Sequence, residues 1–210
     1  GQVSLALDTS QNRRGPDACE NIIGFRIDDN GVGFNDANMN SFDTFDSEYK
    51  ISKGCRGVGR LLWLKAFNRV EIMSNYIDER NKLQSRSFSF KPPSGVTDKK
   101  ESAASSGSDR LTSVKLIDFK TKYREASCKT AKTIANSLFE HCLWYFVRKG
   151  GAPTIDINDG TDRISLDDVY ESHMVSSAVI ETISIKGNNF ELTHVKLRAN
   201  SSHSHILAFC

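Results

Sequence analysis

Apolar and polar positions alternate in short runs along this chain, and each run predicts a strand. Val3 to Leu7 is the first; Ile22 to Asp28 follows, after a polar link from Asp8 to Glu20 that contains Gly15-Pro16. Leu61 to Phe67, "LLWLKAF", has the apolar density of a short buried helix, ended by Asn68-Arg69. Val70 to Ser74, "VEIMS", alternates again, with Ser85 to Phe90, "SRSFSF", as its antiparallel partner. Lys91 to Arg110 is rich in Ser, Gly, Pro and Lys; ordering it returns little apolar burial, so it is expected as a mobile hairpin tip or a surface insertion. Thr112 to Phe119 resumes as a strand. From Tyr123 to Val147, Ala131, Ile134, Ala135, Leu138, Phe139, Cys142, Leu143 and Phe146 recur at spacings of three and four, which predicts one long amphipathic helix. Gly150-Gly151 and Pro153 end it, and Thr154 to Ile157 is a further strand.

Past Asn158-Asp159-Gly160 the pattern changes. A polar stretch holding "LDDVYESHM" leads into "AVIETISI", a turn at Gly187-Asn188-Asn189, "FELTHVKL" and the apolar run from His205 to Cys210. This reads as the opening strands of a second, mainly antiparallel unit, so residues 1–160 are expected as one domain and 161–210 as the start of another. Because both ends fall inside strand-like text, the chain reads as a cut-out of something longer.

Composition narrows the class. At 210 residues and 23.4 kDa, with 26% charged and 38% hydrophobic residues, the chain is an ordinary globular one with material for one sizeable core. A formal charge of +2 provides no broad field for nucleic acid or anionic lipid, which leaves nucleic acid unindicated without excluding it. No run approaches 18 apolar residues and no signal peptide is visible, so a cytoplasmic or nuclear setting without membrane contact is expected. The five cysteines are odd in number and show no CxxC or metal-ligand spacing, as in reduced intracellular thiols.

Two glycine clusters carry the candidate chemistry. In "IDDNGVGF", Asp29 closes an apolar strand and is followed by Gly31 and Gly33; in "KGCRGVGR", Lys53, Gly54, Arg56, Gly57, Val58, Gly59 and Arg60 lead directly into the apolar helix. Glycine lets backbone approach a ligand, a helix opening at a glycine cluster presents free N–H groups to phosphate, and a fixed carboxylate accepts a hydrogen bond from an exocyclic amine. Either cluster alone also reads as a turn or a loop before a helix. Together, in this order, they favour a ligand, the first on a base and the second on phosphates. The order GxxxxGK[ST] is absent, and so is GxGxxG after a first strand.

On these residues the chain resembles the GHKL superfamily, the gyrase B, Hsp90, histidine kinase and MutL type ATPases that share the Bergerat ATP-binding fold. Its DxGxG motif is matched by Asp29, Gly31 and Gly33, and its later glycine box by Gly54, Gly57 and Gly59 as GxxGxG. The resemblance implies a two-layer α/β sandwich with a mixed, mostly antiparallel sheet and helices on one face. It implies ATP or ADP as ligand, with Asp29 on the adenine amino group, the second box on the phosphates, residues 34–52 as a short lid, and Thr112 as the residue supporting Asp29, although Leu111 stands where the family has Gly. Residues past 160 resemble the start of a middle or transducer domain. Nucleotide-driven shape change and homodimerisation are further implications.

The family's first helix carries a Glu that activates water and an Asn that helps hold Mg²⁺, and neither has a match in this sequence. Glu20-Asn21 is adjacent and in the wrong place. No catalytic residue and no metal ligand is therefore assigned. Hydrolysis is expected of a fuller-length protein, and an ATP-sensing or degenerate structural module without hydrolysis is the alternative. Asp28 reads as a turn anchor or as a residue orienting Asp29. Lys50, Lys53, Arg56 and Arg60 read as phosphate contacts or solvent-facing charges, His141 as a surface histidine, His203 and His205 as a pair without a third ligand, and Trp63, Phe67, Phe139, Trp144, Tyr145 and Phe146 as core aromatics.

Overall fold

The computed structural model describes residues 1–9, 22–44, 49, 57–127, 130–147, 151–175, 179–196 and 198. Eight strands form one sheet: β1 (Gln2–Thr9), β2 (Ile22–Asp29), β3 (Phe67–Ile77), β4 (Leu83–Lys91), β5 (Gly95–Ala103), β6 (Thr112–Phe119), β7 (Thr154–Asn158) and β8 (Arg163–Ser165). Their spatial order is β5-β4-β3-β6-β2-β1-β7-β8, every pair antiparallel except β1 with β7. The helices are α1 (Asp36–Asp43), α2 (Arg60–Ala66), α3 (Thr121–Glu125), α4 (Ala131–Val147) and α5 (Leu166–His173). A separate hairpin, β9 (Val179–Ile185) and β10 (Asn188–His194), turns through Lys186 and Gly187 at positive φ. The architecture is the expected two-layer α/β sandwich, a mixed and mostly antiparallel sheet with helices on one face.

Alternation within each strand sends one set of side chains under the helices and the other to the open face. Two clusters fill the helix side. One joins Ile22 and Ile157 to Ile134, Phe139 and Leu143 of α4 and Leu166 and Val169 of α5. The other joins Val70, Ile72, Phe88, Phe90, Val114 and Leu116 to Met39 of α1, with Phe42, Trp63 and Leu64 against them. Phe25 and Phe119 touch both clusters, so they knit the two halves into one layer.

Several sequence expectations change. Residues 95–103, inside the stretch expected as a mobile tip or insertion, form edge strand β5; its side chains are largely exposed, and backbone pairing to β4 orders it. The expected helix from Tyr123 to Val147 is two, with α4 starting afresh at Thr130, whose Oγ1 accepts from Thr133 N at 3.3 Å while Thr133 Oγ1 accepts from Thr130 N at 3.2 Å. Asp159 reaches across to accept the Ala131 amide at 2.8 Å. Most of the "LDDVYESHM" stretch is helical: Ser165 caps α5, and Leu166 is fully buried. β8 and α5 lie beyond residue 160 yet pair with β7 and pack on the first core. Among the core aromatics, Phe67 and Phe139 are buried, whereas Tyr145 is 45% exposed. The terminal run with His203 and His205, and Lys50 before the second glycine box, fall outside the described residues.

Candidate functional site

The apolar side of the sheet ends in a polar row. Two successive rows under the helices are apolar, Leu7-Phe25-Leu116-Val70-Phe90 and Leu5-Ile27-Val114-Ile72-Phe88 across β1, β2, β6, β3 and β4. The next row on the same face reads Val3-Asp29-Thr112-Ser74-Arg86, continued by Glu101 on β5. Asp29 is thus directly opposite Thr112, and both border the core on its helix side.

The loop after β2 is built onto this row. Asp29 Oδ1 accepts the Gly31 amide at 2.9 Å, an Asx-type turn that redirects the chain, while the other carboxylate oxygen carries no hydrogen bond among the described residues. A Cβ at Gly31 would sit 2.6 Å from that Oδ1. Gly33 has φ +73° and a Cβ there would meet Ser74 Oγ at 2.6 Å, so this position requires glycine on both counts. Ser74 Oγ accepts the Phe34 amide at 2.9 Å and is bonded to Thr112 Oγ1 at 2.8 Å, both hydroxyls being buried. Asn35 then caps α1 by accepting from Asn38 N, and Asn38 Nδ2 returns to the Gly33 carbonyl at 2.7 Å.

Arg86 secures the far side. Its guanidinium is buried over the Tyr76 ring, donates to the Phe34 carbonyl at 2.6 Å and to Asp36 Oδ1 at 2.6 Å, and pairs with Glu101 at 2.8 Å. Burial works against its charge, but the two carboxylates win and hold its pKa above the ordinary value. Burial likewise raises Tyr76, against the opposing effect of Arg86.

At the other end of α1 lies the described part of the second glycine box, Gly57 to Arg60. Arg60 donates to the Gly57 carbonyl and, at 2.8 Å, to the Thr44 carbonyl, with its guanidinium over the Phe42 ring. The sequence leaves Arg60 as a phosphate contact or a solvent-facing charge; in the structure its guanidinium holds the Gly57 and Thr44 carbonyls, and burial lowers its pKa against the pull of Asp43. Gly57 takes φ +68°, Val58 is exposed, and Gly59 opens α2 with free space around its Cα. Asp29 and Gly57 flank opposite ends of α1, whose eight residues span about 12 Å. Lys53, Gly54 and Arg56 fall outside the described residues.

No family model and no curated protein matches the chain. Among solved structures, the 43K ATPase domain of Thermus thermophilus gyrase B, in complex with an aminocoumarin, superposes with a TM-score of 0.51 at 11% identity, covering 92% of this chain and 51% of that one. This chain shares the fold of that gyrase B ATPase domain. The N-terminal domain of a DNA repair protein gives a TM-score of 0.45 at 11% identity, over 78% of this chain and 45% of that one. The chain therefore spans about half the length of the gyrase B domain.

Set on a gyrase-like fold, Asp29, Gly31, Gly33 and Thr112 come together at one end of the sheet, and Gly57, Val58, Gly59 and Arg60 sit at the far end of α1. Ser74 and Arg86 lie in the same row as Asp29 and Thr112 and were not singled out from the sequence. Their signal was parity: Val70, Ile72, then Ser74 on β3, and Phe90, Phe88, then Arg86 on β4, place a polar group where the strand pattern calls for an apolar one. Among the described residues no group of three His, Cys, Asp or Glu is arranged to hold a metal, and no helix is long and apolar enough to cross a membrane.

Proposed function

We propose that this chain is the ATP-binding module of a GHKL-type ATPase. Asp29 accepts the adenine amino group through its unbonded oxygen, over a floor made by Thr112 and Ser74. Backbone of the 54–59 loop, with Lys53, Arg56 and Arg60, takes the phosphates. The observation that carries this reading is the polar row, in which a carboxylate is fixed beside two glycines at the edge of the core, in a fold shared with the gyrase B ATPase domain. Nucleotide binding would drive shape change or pairing of two copies.

Among the described residues no three His, Cys, Asp or Glu side chains converge on one point, and no step through Mg²⁺ is assigned; when bound, Mg²⁺ would neutralise phosphate charge. A nucleotide sensor that binds without turnover is the second reading. Calorimetric titration of ADP and ATP with Mg²⁺ tests both. Asp29→Asn, which keeps the Gly31 bond but loses the acceptor charge, is expected to weaken nucleotide by about 10-fold or more, since a hydrogen bond to a charged group contributes about 1.5–3 kcal/mol. Equal affinity in wild type and variant, or no binding by wild type, would overturn the assignment. Phosphate release by wild type separates enzyme from sensor.

A further inference from the structure

The face of the sheet away from the helices carries a groove of about 510 Å³ across β2, β6, β3, β4 and β5, within the range of small-ligand sites. Its depth has a residue-level cause. On this face the central strands bear the short side chains Ser113, Ser87 and Ser89, while long ones, Arg26, Lys115 and Lys100, stand around them. Met73 lies opposite both Ser113 and Ser87 in register and is 51% exposed, an apolar surface in a polar setting.

Two observations indicate what the groove takes. Ser113 is 5% exposed, lines the groove, and its Oγ has no hydrogen-bond partner among the described residues. A buried hydroxyl without a partner is costly, and an oxygen in the groove, of water or of a ligand, would satisfy it. The charges then select the sign. Among the carboxylates, Glu71 is held by Arg69 at 3.3 Å, Asp28 by Arg26 at 3.0 Å, and Asp98 accepts from Thr97 Oγ1 at 2.9 Å. Lys100 and Lys115 have no carboxylate within ion-pairing distance among the described residues. Against Asp98, whose carboxylate has no cation within ion-pairing distance among the described residues, two unpaired ammonium groups and a set of hydroxyls leave the balance with a compact anion, and Met73 favours one with an organic body.

We propose that the open face of the sheet is a second ligand site, for a small phosphorylated organic molecule, with Lys100, Lys115, Ser87 and Ser113 on the phosphate and Met73 against the apolar part. This site lies on the opposite face from Asp29 and stands whether or not the chain binds ATP.

Amide chemical shifts of the full chain, followed on titration with inorganic phosphate, phenyl phosphate and phenol, test it. Phenyl phosphate is expected to shift Ser87, Ser113 and Lys115, and to bind about tenfold tighter than inorganic phosphate. Lys100→Gln with Lys115→Gln, both at exposed positions, is expected to weaken phenyl phosphate by about tenfold or more, and Met73→Ala to weaken phenyl phosphate while leaving inorganic phosphate unchanged. The proposal is overturned if the shifts appear only around residues 29–33 or 57–60, if the double substitution leaves affinity unchanged, or if phenol binds as well as phenyl phosphate.

Discussion

At Gly33 one added methyl group would face both a left-handed backbone and the Ser74 hydroxyl. Gly33→Ala is therefore expected to cost about 2 kcal/mol or more, read from the urea midpoint, with the Phe34 amide losing its protection from hydrogen exchange. Arg86→Met tests the opposite corner. The substitution leaves Asp36 and Glu101, both largely exposed, to water, so the cost should fall near 2 kcal/mol, below that of breaking a fully enclosed pair. Asp159 provides a pH signature. Burial pushes its carboxyl up, but the amides of Asp162, Ala131 and Thr161 prevail and hold it below the ordinary aspartate value. A depressed folded pKa gives stability that is present above the unfolded value, near pH 4, and is lost as pH falls through the folded one. Denaturation midpoints of wild type and Asp159→Asn, compared from pH 6 down to 3, should differ most at the upper end and converge at the lower. The turn that gathers Asp29, Gly31 and Gly33 at the end of β2 was legible because a strand-end carboxylate and a pair of glycines fall within five residues. Ser74 and Arg86 were less so: alternation puts them on the apolar parity of their strands, but only the pairing register aligns them with Thr112 and Asp29 in one row.

Among the elements, those that bury an alternating or three-and-four pattern were readable: β2, β3, β4, β6 and most of α4 fall where the periodicity put them. Elements held by other forces were not. β5 owes its place to its ladder with β4, and α5 to a cap at Ser165 with two inward residues, Leu166 and Val169, in an otherwise polar stretch. α1 was read as part of a lid from the resemblance alone; its large apolar side chains are only Met39 and Phe42, and Asn35 was an available capping signal. Phe42 packs edge-on with Phe34 and Phe90 at 5.4 and 5.2 Å, so Phe42→Ala should loosen α1 more than the sheet. The expected outcome is a loss of about 2–3 kcal/mol, with amide exchange rising first in residues 36–43.

For the molecule as a whole, the useful question is where the first unit stops. Because β8 and α5 pair and pack with it, a chain ending at residue 175 should unfold cooperatively, whereas one ending at 160 should lose cooperativity and expose the faces that Leu166 and Val169 cover; far-UV circular dichroism during a urea titration distinguishes them. The parallel partnership of β1 with β7 has a consequence for biogenesis. Val3 finds Ile155 only after the ribosome has made the whole intervening chain, about 10–30 s at ordinary elongation rates. Throughout that interval one flank of a nascent strand stays open to unwanted neighbours, so translation speed between the two partners becomes a determinant of yield.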